Sequence, residues 1–476
     1  MKVAFTKAID ALRKFCLSDW FIYFTAVFVM AGWLSGEWMI FMGVLFAIIA
    51  AVLVLCEDVT PALAPFFLFT MMISSSRSQL MDKIWMLSLI VLPVAAIIYR
   101  MIKNRDKLSL ISPTKWTGFT LSLILLILPM TLGGLFRGGR IVPVIFVAMG
   151  YMILLGACYL FFSMNVDKKN DRVLKYVLKL MFVNSIIVSL QLIITYGGVF
   201  ADGGKDALIN YIKYKNLNIG WAGGNNAAPV LAMCMPAGLY YALKDRKASF
   251  IFILVAFIEY ALVISTGSRG TILILTIALP FILCYMMAKS PRKLQTGLTI
   301  SVSFAVAVLL AGLFAKDLLA AFSEIINRGL SDNGRFTLYK EALGAFVKYP
   351  VFGAGWDYRL GELYNDGPVP YWYHSTALQI LANMGVIGAI FFGYFYYWRY
   401  RTLLADRVPA KLALFAGVLI FDLYGMIDVN FFGPTFFVMM LILTFAVETT
   451  IEPERLKPLP ITLIEKRCAN KKANKA

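Results

Sequence analysis

Residues 296–315 read TGLTISVSFAVAVLLAGLFA, an apolar run without a single charge. A helix rising ~1.5 Å per residue covers ~30 Å in about 20 residues, the thickness of a bilayer's hydrocarbon. Residues 141–164 form a second such run. Further apolar segments lie near 20–36, 38–55, 61–74, 84–101, 116–136, 173–196, 227–243, 248–266, 271–288, 375–397, 409–425 and 431–447. Of 476 residues 60% are hydrophobic and 15% are charged, whereas ordinary soluble domains carry about 25% charged residues. A water-soluble globule, a disordered chain and a collagen-like repeat are therefore excluded. The expected fold is an all-α polytopic membrane protein with about 12–14 transmembrane helices over residues 20–447. Pro61 and Pro65 make segment 61–74 a candidate re-entrant piece, and the count is twelve if two weak segments fail to span.

Charge sets the expected orientation. With a cytoplasmic N-terminus, alternate connections hold 31 of the 45 Lys and Arg residues, as the positive-inside rule requires. Both termini then face the cytoplasm, and residues 448–476 form a basic cytoplasmic tail. The net charge of +18 is split among short loops, which fits contact with anionic membrane lipids and not nucleic acid. Residues 1–19 place Phe5, Ile9, Leu12 and Phe15 at helical spacing between basic residues, the pattern of an interfacial amphipathic helix. No small-residue cleavage site follows the first apolar run, so a cleaved signal peptide is not expected. The six cysteines form no CxxC pattern and read as small hydrophobes, with no disulfide or zinc site.

Two connections, 197–226 and 316–374, are too long to be simple turns, and both fall on the extracytoplasmic side. Connections of that length usually carry function. The second holds two helix-like stretches, 317–330 and 335–349, broken by Pro350, Gly353 and Gly355 and again at 367–370. It reads as a small helical lid. The chain's only histidine, His374, stands where that loop re-enters the membrane. Arg269 lies between two apolar helices with hardly any loop, and Arg335 begins a loop helix. Singly, these are a structural imidazole, an interfacial anchor and a solvated charge. Together, two guanidiniums and an imidazole at the mouth of a bundle make an anion site, because arginine's planar fork bonds phosphate oxygens bidentately.

Four blocks extend this reading. His374-Ser375, followed nine residues later by Gly385-Val386-Ile387-Gly388, resembles the signature of the O-antigen ligase family. Ile264-Ser265-Thr266-Gly267-Ser268-Arg269-Gly270 resembles its first arginine motif. Gly334-Arg335-Phe336-Thr337-Leu338-Tyr339-Lys340-Glu341-Ala342, with Pro350-Val351-Phe352-Gly353-Ala354-Gly355, resembles its second; Tyr339 stands where Trp is often found. Gly220-Trp221-Ala222-Gly223-Gly224-Asn225-Asn226-Ala227 resembles the Trp-Gly/Asn segment ahead of them. The similar region covers about 221–433.

The resemblance implies a glycosyltransferase of the GT-C type in the bacterial cytoplasmic (inner) membrane. It implies metal-independent, inverting transfer of a glycan from an undecaprenyl-diphosphate carrier to an extracytoplasmic acceptor. In the ligases of lipopolysaccharide biosynthesis that acceptor is lipid A core; in related polymerases it is another carrier-linked glycan. Arg269 and Arg335 are then the cations on the departing diphosphate, and His374 is the general base or a further diphosphate ligand. Asn225, Trp372, Tyr373 and Asp428 are the remaining substrate-binding candidates. Asp428 is either a carboxylate compensating an arginine or an alternative base. Glu259 and Asp422 are read as compensating carboxylates too. The aromatics Trp356, Tyr358, Tyr371, Trp372 and Tyr373 form either a sugar-stacking surface or an interfacial belt. No DxD occurs in an outer segment, so neither a metal nor a cofactor is expected. A lipid-linked glycan transporter is the competing class; no internal repeat of the transporter kind stands out.

Overall fold

The computed structural model describes residues 2–74, 84–105, 116–136, 156, 158–245, 247–328, 334–356, 358–359, 362–363, 372–429 and 432–458. The fold is all-α and polytopic. The only paired strands among the described residues are Tyr358–Arg359 and Glu362–Leu363, a two-residue antiparallel ladder.

Helix α1 (Lys2–Cys16) is amphipathic and turns through 81° into α2 (Trp20–Ser35). After α3 (Trp38–Leu55) come the short helices α4 (Leu63–Leu68), α5 (Val91–Lys103), α6 (Gly118–Leu125) and α7 (Ile127–Leu132). The central part holds α8 (Arg172–Lys213), α9 (Gly224–Lys244), α10 (Ser249–Ser265), α11 (Arg269–Lys289) and α12 (Lys293–Leu313). Then α13 (Ala315–Arg328) and α14 (Arg335–Lys348) form the helical part of the long connection. The chain closes with α15 (Thr376–Leu403), α16 (Pro409–Gly425) and α17 (Pro434–Glu448). Among the described residues five helices are long and apolar enough to span, or six if the bent α1–α2 pair is one span. Thr60–Met72, read as a candidate re-entrant piece, is a broken and mostly buried helix too short to cross ~30 Å. Most of segment 141–164 lies outside the described residues, as does most of the tail.

Helix α9 is the core. It packs between α8, α10 and α16, and residues 227–239 are almost wholly buried. Small side chains permit this, since close backbone approach is the main source of packing energy where lipid removes the hydrophobic drive. A Cβ at Gly417 on α16 would lie 2.4 Å from the Met233 carbonyl. In contrast, only 6% of the apolar window of α12 is buried, so that helix presents its surface to lipid.

Three sequence expectations change. The connection 197–226 is not open loop: α8 continues to Lys213, broken only at Gly204 (φ 68°), and Lys205 pairs with Asp317 of α13 at 2.7 Å. Arg100 and Arg399, counted among loop charges, are buried. Arg100 caps the end of α3 through the Leu53 carbonyl at 3.1 Å and the carbonyls of Cys56 and Glu57. Arg399 pairs with Asp422, which also accepts the Tyr400 hydroxyl at 2.6 Å. Finally, Glu259 is buried in α10 and pairs with no arginine among the described residues.

Helix α15 is interrupted at Gly385 (φ 61°, ψ −154°). Such a break frees backbone groups that an apolar surrounding cannot solvate. Segment 350–355 supplies the partners. Ala354 and Gly355 N–H donate to the carbonyls of Ala382 and Asn383 at 2.7 and 3.1 Å. Val386 and Ile387 N–H donate to the carbonyls of Pro350 and Val351 at 2.8 and 3.2 Å. A Cβ at Gly385 would stand 2.5 Å from both latter carbonyls. Gly385→Ala is therefore expected to destabilise the protein by about 1–3 kcal/mol, seen as a lower melting temperature in detergent. An unchanged melt would show that the break tolerates a side chain.

Candidate functional site

The loop ahead of α15 positions His374. Its φ of 51° is left-handed, a conformation in which His, Asn and Asp are several-fold enriched among non-glycine residues. Ser375 is the N-cap of α15, its hydroxyl accepting the Leu378 N–H, and the Tyr373 N–H donates to Gln379 Oε1 at 2.8 Å. Tyr339, where Trp is often found, donates its hydroxyl to the His374 carbonyl at 3.3 Å. The backbone that carries the imidazole is thus held on both sides, with 43% of the side chain open.

Asp428, in the turn after α16, lies behind that ring. Its side chain is 8% exposed. His374 Nδ1 is 3.2 Å from Asp428 Oδ1, and the Arg335 guanidinium is 3.7 Å from Oδ2. The Val429 N–H donates to Oδ1 at 2.8 Å, and the Tyr424 hydroxyl lies 3.0 Å from Oδ2. Burial alone would push this carboxyl up. The bonds from His374, Val429 and Tyr424 outweigh burial and hold it below the ordinary aspartate range. With Asp428 as a carboxylate, the tautomer it favours carries the proton on Nδ1 and leaves Nε2 as a base.

The first arginine motif reaches the same place through backbone packing. Arg269 opens α11 directly after Ser268, whose hydroxyl lies 3.0 Å from that of Thr271. A Cβ at Gly270 would meet the end of the Ile427 side chain at 2.0 Å and the Tyr424 ring at 3.4 Å, so glycine lets this turn lie against the Asp428 loop without displacing Ile427. Gly224 is matched in the same way to Thr266, whose carbonyl lies 2.6 Å from a Cβ built there. Asn225 contributes its carbonyl, 2.8 Å from the Tyr424 hydroxyl, while its side chain is exposed.

The aromatic candidates divide. Trp372 is half-buried and stacks on Phe432 at 6.5 Å. Tyr373 is fully buried against Ala342, Ala345, Ala354 and Ala382, so its ring is packing and not a surface for sugar. Trp356 is buried as well, Tyr371 lies outside the described residues, and no side-chain position is described for Tyr358. Among the described residues no three His, Cys, Asp or Glu side chains gather as a metal site. Sequence reading missed Tyr424. The signal for Tyr424 was its place one helical turn before Asp428, on the face the carboxylate must share.

Fold and site together define a polytopic helical membrane protein in which His374, Asp428 and Arg335 meet between helix ends. Residues 250–393 match the family model described as O-Antigen ligase, which supports the resemblance carried by the four sequence blocks. Arg269, Arg335, Trp372, Tyr373 and His374 fall inside that match, whereas Asn225 and Asp428 fall outside it. No curated protein matches the chain.

The lowered Asp428 carboxyl has a consequence for stability. A depressed folded value contributes stability in full above the unfolded value of about 3.9 and loses it as pH falls through the folded value. Asp428→Asn should cost about 1–3 kcal/mol at pH 7. The gap to wild type should close as melts in detergent are taken to lower pH. A gap independent of pH would contradict the assigned bonds.

Proposed function

We propose that this protein is a membrane glycosyltransferase of the O-antigen ligase type, moving a glycan from an undecaprenyl-diphosphate carrier to an acceptor hydroxyl. The site lies on the extracytoplasmic face of the cytoplasmic membrane, with both termini inside. The observation that carries this reading is the His374–Asp428–Arg335 cluster packed against the Arg269 turn, with three of these four residues in the matched family segment.

The chemistry follows from charge. As the acceptor oxygen bonds to the anomeric carbon, the bond from that carbon to the carrier diphosphate breaks and the diphosphate leaves with the electron pair. Arg269 and Arg335 stabilise the growing negative charge, the kind of preorganised electrostatics that is often the largest catalytic effect. His374 Nε2 takes the hydroxyl proton, and Asp428 orients the ring and stabilises the imidazolium that forms. Asp428 is thus the orienting carboxylate and His374 the base. A single displacement inverts the anomeric centre, and neither metal nor cofactor enters a step. Trp372 offers a ring face to a sugar beside the site. The acceptor is lipid A core, or another carrier-linked glycan if the enzyme is a polymerase.

The test is reconstitution in vesicles with a polyprenyl-diphosphate glycan and an acceptor, measuring release of carrier diphosphate. Arg269→Ala and His374→Ala should each lower turnover at least ~100-fold. Full turnover in both variants would remove the mechanism, and glycan crossing the vesicle without bond transfer would point to a transporter. In a deletion strain, a ligase leaves long carrier-linked chains unattached, whereas a polymerase leaves single repeat units on the acceptor.

A further inference from the structure

Tyr424 is 2% exposed, and its hydroxyl does more than a buried phenol needs. One backbone acceptor satisfies such a group, as the Pro61 carbonyl does for buried Tyr176 at 3.1 Å. Tyr424 has the Asn225 carbonyl at 2.8 Å and, beyond it, Asp428 Oδ2 at 3.0 Å. The hydroxyl shares its one proton between these two acceptors, so it stands between the turn before α9 and the carboxylate behind His374, while its ring lies against Gly270 at the entry to α11. These are three segments that the sequence separates by some 40 to 160 residues, and neither Asn225 nor Asp428 is in the matched family segment.

We propose that Tyr424 is a positioning residue of the transfer reaction, its hydroxyl holding Asp428 at His374 while its ring packs against the Arg269 turn. This rests on the function proposed above. Its action is indirect. Asp428 has two oxygens: Oδ1 meets His374 and the Val429 N–H, and Oδ2 meets Arg335 and Tyr424. Without the phenol, Oδ2 keeps only the longer contact to Arg335. The carboxylate is then free to rotate off Nδ1 toward the guanidinium, and the ring loses its orienting partner. Among the described residues the titratable groups facing Asp428 are His374 ahead of α15, Arg335 at the start of α14 and Tyr424 on α16.

Tyr424→Phe keeps the ring that packs against Gly270 and removes only the hydroxyl. In reconstituted vesicles with a polyprenyl-diphosphate glycan, kcat should fall about tenfold, the scale of one bond to a charged group, while KM changes less than twofold. Tyr400→Phe, which removes a part-buried tyrosine bond to another carboxylate, Asp422 (2.6 Å), should leave kcat as in wild type. Unchanged kcat in Tyr424→Phe, or the same loss in both variants, would overturn the proposal. A readout independent of transfer uses the chain's single histidine. The rate at which diethyl pyrocarbonate carbethoxylates His374, followed against pH, should differ between wild type and Tyr424→Phe. Superimposable curves would overturn the positioning role. If wild type releases no carrier diphosphate, the proposed function fails, and the carbethoxylation curves still decide the role of Tyr424.

Discussion

A carboxylate withdrawn from water must be compensated, and Asp428 imposes that condition on the whole site. Uncompensated burial of a charge costs several kcal/mol, so such groups persist where donors surround them. Here the donors come from separate elements: Arg335 at the start of α14, His374 just ahead of α15, Tyr424 near the end of α16 and the backbone of Val429. Each stands at or near an element's end, so the helix ends have to converge. At Gly224 a Cβ would meet the Thr266 backbone, and at Gly270 it would displace the Ile427 side chain.

The second constraint is backbone pairing at the break in α15. In an apolar surrounding, the groups freed at Gly385 require partners, and segment 350–355 is threaded against them. The connection between α14 and α15 is thereby tied to the helix that His374 leads. This gives a physical reason for two motifs that look unrelated in sequence, Pro350-Val351-Phe352-Gly353-Ala354-Gly355 and Gly385-Val386-Ile387-Gly388. They form one ladder. Arg335 at the head of α14 and His374 at the head of α15 are held on opposite sides of Asp428 by the same contacts.

Much of the fold was legible in composition and periodicity. Uncharged runs such as 296–315 become long helices, and the helix-like stretches of the long connection appear as α13 and α14 nearly as read. The extension of α8 beyond Gly197 was not legible, because glycines and charges there look like loop until Lys205 finds Asp317. At the site, His374 stood out as the only histidine and Arg335 by its motif. Tyr373 looked equally available and is packed away, since residue type says nothing about which neighbouring aromatic faces inward. Arg399 looked like a loop charge because Asp422, its partner, is 23 residues distant in the chain.

The amino-acid sequence by itself determined the solvent this protein lives in, the helices that solvent demands and the few ionisable groups able to act at their ends. Apolar length and residue chemistry are local properties, readable one segment at a time. Only the tertiary structure decided that Asp428 faces Arg335 and His374, that Asp422 faces Arg399, that Glu259 faces neither, and that Tyr424 sits at the centre. Ion pairs and hydrogen bonds act through space over a few ångströms, and which groups come within that range depends on how every helix packs.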